Sequence, residues 1–93
     1  MTKEEKLVVT LSGADKIGIV AKITAKLAEL DVNIEDIRQT IMHGCFMMML
    51  LADMNNSKFS FKEIKDALLQ CGEELGMEIW IQKKEIFDKM HTI

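Results

Sequence analysis

Apolar and polar positions change period repeatedly along the chain, and each change marks an element. Leu7 to Leu11 reads LVVTL, a β-branched apolar run that closes at Ser12-Gly13 and predicts a first strand. Asp15 is placed to cap a helix in which Val20, Ile23, Leu27 and Leu30 recur at helical spacing. That helix runs out near Asp31. Asn33 to His43 predicts a second strand with Ile37, Gln39 and Ile41 on one face. Ile34 is out of phase with them, and a bulge near Glu35-Asp36 accounts for the shift. His43-Gly44 reads as a tight turn.

Cys45 to Met54 reads CFMMMLLADM, too continuously apolar for a half-solvated strand, and predicts a third strand buried on both faces. Asn55-Asn56-Ser57 is a loop. Ser60 and Glu63 have capping-box spacing, with Phe59 and Ile64 placed as a hydrophobic staple. Phe61, Ile64, Leu68, Cys71 and Leu75 form one helical stripe, and Gly76 is placed to end that helix. Met77, Ile79 and Ile81 alternate with Glu78, Trp80 and Gln82 as a fourth strand. From Glu85 to Ile93, the residues Ile86, Phe87, Met90 and Ile93 have the spacing of a short docked helix.

The order is βαββαβ plus a tail. Right-handed crossovers then give a ferredoxin-like α+β sandwich, a four-stranded antiparallel sheet with both helices on one face. Residues 1–84 form one domain, and 85–93 pack as a tail on it or on a partner subunit. Two helices cover one sheet face only. A third strand apolar on both faces therefore asks for a cover on the other face, and a second copy of the chain is the simplest one.

Composition narrows the function classes. The chain has 93 residues, 48% of them apolar and 29% charged, which is one globular domain. A domain this small buries only roughly 60% of the surface its unfolded chain exposes, so a partner subunit helps it. Net charge is −3, and Arg38 is the single arginine among twelve basic residues, which argues against nucleic-acid binding. No apolar run reaches the roughly 18 residues of a membrane helix. The N-terminus has no secretory pattern, and Cys45 and Cys71 make no disulfide scaffold. A cytoplasmic protein with free thiols follows. The chain has no Walker loop, no HExxH and no CxxC, so a binding module, sensor or interaction subunit is expected rather than an enzyme.

Particular residues then resemble a known family. Asp15-Lys16-Ile17-Gly18-Ile19-Val20-Ala21, followed by Leu27-Ala28-Glu29-Leu30 and Asn33-Ile34, is similar to the opening half of an ACT domain. Asn33-Ile34-Glu35-Asp36-Ile37 with Gln39-Thr40, the Met-rich third strand, and the tail's Ile86-Phe87 with Met90-His91 resemble the stand-alone UPF0237 group. That group is related to the glycine cleavage system transcriptional repressor. Ile17 stands where many ACT domains have proline, which removes a preset φ and implies a more mobile loop. Thr92 stands where compared members often carry arginine or asparagine.

The resemblance implies an amino acid or similar small ligand bound between subunits, and the loop has chemistry for it. A helix's first turn offers unpaired amides and partial positive charge, here those of Ile17, Gly18 and Ile19. Gly18 lets a carboxylate approach the backbone. Asn33, beside Ile34, can donate and accept, and across an edge-to-edge dimer it faces the partner's first helix. Asp15 could meet an ammonium group. Plainer readings stand beside these: Asp15 as an N-cap, Gly18 as a helix-packing glycine, Asn33 as a turn residue.

Other features carry less. His43, Cys45, Cys71 and His91 lack paired metal-ligand spacing, so no metal or other cofactor is expected, and purified protein should hold no stoichiometric zinc or nickel. Cys71 fits the apolar stripe of its helix. Met47-Met48-Met49 reads as strand packing. Trp80 points away from the helices and reads as interface, and Lys83-Lys84 as solvated. The leading function is a non-catalytic homo-oligomeric sensor of a small, amino-acid-like molecule, with no nucleic acid or membrane partner. The competing one is a protein interaction module whose loop binds nothing.

Overall fold

The computed structural model describes residues 5–90. His91, Thr92 and Ile93 of the tail lie outside the described residues. The elements follow in the order β1 (Lys6–Ala14), α1 (Ile19–Glu29), β2 (Asn33–Met42), β3 (Cys45–Asp53), α2 (Phe61–Leu75), β4 (Glu78–Lys83) and α3 (Lys84–Met90). The strands form one antiparallel sheet in the order β2-β3-β1-β4. This is the ferredoxin-like α+β arrangement the sequence predicts.

Alternation along the strands sorts side chains between two faces. Leu7, Val9 and Leu11 of β1 and Phe46, Met48, Leu50 and Ala52 of β3 point to the helix layer. There they join Ile19, Ile23 and Leu27 of α1 and Ile64, Leu68 and Cys71 of α2 in one core. Burial raises the Cys71 thiol above its ordinary pKa, so it stays protonated and packs as a small apolar group. The bulge on β2 falls between Ile34 and Asp36, at Glu35. It restores phase: Ile34 pairs with Ala52 and Ile37 with Leu50, so both lie on the helix side. The β2–β3 hairpin turns through His43 (φ 51°) and Gly44 (φ 79°), the paired left-handed residues of a type I′ turn.

The third strand departs from expectation. Its helix-facing residues are buried, but Cys45, Met47 and Met49 on the other face are exposed, so a single copy does not bury it on both sides. The continuous apolar run reflects a surface the chain's own helices do not reach. Tail helix α3 follows β4 without a break and crosses one end of this open face. Together with Val8, Leu51 and Met49, its Phe87 lines a shallow groove. Val8, although on the open face, is 5% exposed.

Helix α2 has the expected capping box: Ser60 Oγ accepts from the Glu63 amide at 3.2 Å and Glu63 Oε1 from the Ser60 amide at 2.9 Å. Phe59 stays exposed while its staple partner Ile64 is fully buried. Replacing Ser60 by alanine should lower unfolding stability by about 1 kcal/mol, read from urea denaturation. An unchanged midpoint would mean that the cap is redundant with the core packing of α2.

Candidate functional site

The loop between β1 and α1 comprises residues 15–18. Two hydrogen bonds tie it down. The Asp15 amide donates to Gly44 O at 3.0 Å, joining the loop to the β2–β3 turn. Lys16 Nζ donates to Leu75 O at 2.8 Å, a bond spanning 59 residues. No basic residue lies in the last turn of α2, and Lys16 supplies the missing positive charge at that helix's negative end. Between these tethers and the helix, Ile17 is fully exposed at 104%.

Helix α1 starts later than Asp15 suggests. Its N-cap is Gly18, at φ 87°, and no side chain caps the first turn. Asp15 is therefore not the N-cap: three residues intervene, and its backbone is already engaged with Gly44. The first helical bond runs from the Lys22 amide to Gly18 O at 2.9 Å, so the amides of Ile19, Val20 and Ala21 have no partner within the helix. A Cβ built on Gly18 would meet nothing within 4 Å, which removes the helix-packing reading of this glycine. Gly18 is there because its left-handed φ favours glycine, and the space in front of it is open.

Asn33 is not a turn residue either. The left-handed residue before β2 is Asp31 (φ 58°), and Asn33 is already in the strand, exposed and paired with Asp53. Ile34 beside it is half-buried and packs against the core. The two halves of the sequence-predicted site lie apart in one copy. The loop follows Ala14, which pairs with Cys45, while Asn33 pairs with Asp53 at the other end of β3. Eight residue steps of strand separate them by roughly 26 Å. Asp15, Ile17, Gly18 and Ile19 are brought together; Asn33 and Ile34 are not brought to them by their own chain.

Sequence reasoning missed Lys16, and its acceptor, a backbone carbonyl 59 positions away, leaves no local signal. Among the described residues no group of three or more His, Cys, Asp and Glu could hold a metal ion. No helix of the described residues is long and apolar enough to cross a membrane.

The βαββαβ sandwich places the chain in the class of small ferredoxin-like α+β domains, here with no side-chain cap on the first turn of α1. The sequence profile of the ACT domain matches residues 5–82. A UPF0237 protein of Listeria innocua is 47% identical over 95% of this chain and 99% of its own length. The chain belongs to the ACT domain family, in its UPF0237 group. A solved ACT domain protein from Streptococcus pneumoniae superposes with a TM-score of 0.80 at 36% identity, covering 92% of this chain and 97% of that one. A solved chain described as a candidate glycine cleavage system transcriptional repressor shares the fold. Its TM-score is 0.75 at 19% identity, over 88% of this chain and 47% of that one. The family is one of regulatory ligand-binding modules, typically without catalysis of their own.

Proposed function

We propose that this protein is a cytoplasmic, non-catalytic sensor of an amino acid or a similar small carboxylate, working as a homo-oligomer. The observation that carries it is the first turn of α1, with three amides unpaired within the helix behind a left-handed glycine and open space in front. Such a turn stabilises a carboxylate through its N–H groups and the helix dipole. Asp15, exposed at the same loop, suits the ammonium group. The working unit is residues 1–84, with 85–93 as its tail.

A neighbouring copy completes the site in this reading. Strand β2 is a sheet edge ten residues long, with Ile37 and Ile41 exposed. Edges of this kind pair with another chain. Antiparallel pairing of two β2 strands sets Asn33 of one copy beside the Met42 end of the other, the end that carries the partner's loop. Asn33 then adds an amide side chain, able to donate and accept, to the loop's Asp15.

The test is a thermal-shift screen against the twenty amino acids, with a few nucleotides and metals beside them. A ligand at about ten times its Kd adds ~1.4 kcal/mol and should raise Tm by roughly 5–10 °C. Calorimetry then compares variants. Gly18→Val puts a branched side chain at a left-handed φ and in the carboxylate's path, and should abolish binding. Asn33→Ala should weaken it about fivefold, the loss of one hydrogen bond. Folded variants that both bind as wild type would place the site elsewhere. An empty screen would favour the interaction module, for which the exposure of Ile17 is the specific support.

A further inference from the structure

The open face of the sheet is covered at one end only. Asp36, Leu51, Val8 and Gln82 form one cross-strand row, and α3 lies over it. The next row, Arg38–Met49–Thr10–Trp80, lies at the margin of that cover, its Arg38 and Met49 lining the groove beside Phe87, and the one beyond it, Thr40–Met47–Ser12–Glu78, lies outside it. Trp80 is 51% exposed, Met47 46% and Met49 41%. Helix α3 in turn leaves Ile86 49% and Met90 65% exposed.

We propose that a second copy of this chain docks on this face about a two-fold axis crossing the strands, each α3 filling the uncovered end of the partner's sheet. The proposal rests on the homo-oligomer reading above and says which surface meets which. The chain's own α3 shows that the face accepts this helix, since Val8 is nearly inaccessible and Phe87 half-buried beside it. The two less covered rows and the exposed flank of α3 are both apolar in the middle, so a two-fold operation matches patch to helix twice. Charge is balanced as well: Arg38 and Glu78 flank the patch at opposite sheet edges, and α3 carries both signs. The uncovered end, about six residues at ~3.3 Å along four strands about 4.8 Å apart, gives ~380 Å² in projection. Side-chain relief and the flank of α3 bring this toward the ~800 Å² per partner of a standard interface. A membrane surface is a poorer occupant, because Arg38 is the only basic residue of the two less covered rows.

Trp80 is the only tryptophan, so its emission reports on this face alone. At micromolar concentration, sedimentation should show an oligomer whose tryptophan emission lies at shorter wavelength than in the dissociated protein. Met49→Lys, at the centre of the patch, should weaken association roughly thirtyfold or more and move the emission to longer wavelength. Met90→Lys should do the same from the helix side, while also removing the hydrogen bond that Gln82 Nε2 of β4 donates to Met90 Sδ at 3.2 Å. Both positions are exposed, and circular dichroism checks that the folds survive. Ile37→Lys, at the β2 edge, should leave the emission where it is. Solvent-exposed Trp80 in an oligomer that only Ile37→Lys disrupts would overturn the face-to-face contact and leave the edge pairing standing. A monomer at every concentration would overturn both. Dissociation by Met49→Lys and Met90→Lys while Ile37→Lys loses ligand binding would support both.

Discussion

Replacing Leu68 by alanine should cost about 2–5 kcal/mol of unfolding stability. Leu68 has no exposed surface and sits in the core cluster between α2 and the sheet. The loss combines the transfer free energy of the deleted methyl groups with the cavity left behind. The core cluster can relax little, because β1 and β3, which contribute Val9, Leu11 and Leu50 to it, are hydrogen-bonded on both sides. In a small domain such a loss can consume most of the margin, with a fall in Tm on the order of 10 °C or more. Urea and thermal denaturation would measure it. A cost under about 1 kcal/mol would mean that the helix layer is plastic enough to close the space.

The second large effect should come from Gly72. This glycine is buried in α2, where alanine would ordinarily be favoured by about 1 kcal/mol of helix propensity. A Cβ there would stand 2.6 Å from Ile79 Cγ2, 3.2 Å from Ile79 Cβ and 3.4 Å from Met77 O. Ile79 is β-branched and held in the hydrogen-bonded pairing of β4 with β1, so it cannot swing aside cheaply. Overlap outweighs propensity, and Gly72→Ala should destabilise despite its better helix former. Gly72→Val should cost about 3 kcal/mol or more, or prevent folding. A stabilised Gly72→Ala protein would show that α2 can lift from β4 without loss.

What the sequence disclosed follows the range of the interactions involved. The capping box of α2 was legible because its partners are three residues apart, and the β2 bulge because Ile34 broke a period-two pattern. The direction of Trp80 followed from alternation with Ile79 and Ile81. The start of α1 was not legible in the same way. Asp15 and Gly18 are both acceptable helix-entry residues, and the choice between them is made by the bond from the Asp15 amide to Gly44, outside any local window. The outer face of β3 misled for a different reason. A run of methionines and leucines records that a surface is apolar, not whether the same chain covers it. The distance between the loop and Asn33 comes from strand direction: β1 and β2 both run antiparallel to β3, so the end of β1 and the start of β2 lie at opposite ends of the sheet despite their closeness in sequence.

The Lys16 bond to Leu75 has a temporal meaning as well. A chain emerging from the ribosome makes its loop early and the acceptor for that loop late. Until α2 has been synthesised and has docked, Lys16 has no carbonyl to hold it, and the hairpin carbonyl at Gly44 holds only one side of the loop. The loop that enters α1 therefore gains its second tether only when α2 is complete to Leu75. A partial chain, or a fragment cut within α2, presents the same glycine and the same amides with one of the loop's two tethers missing.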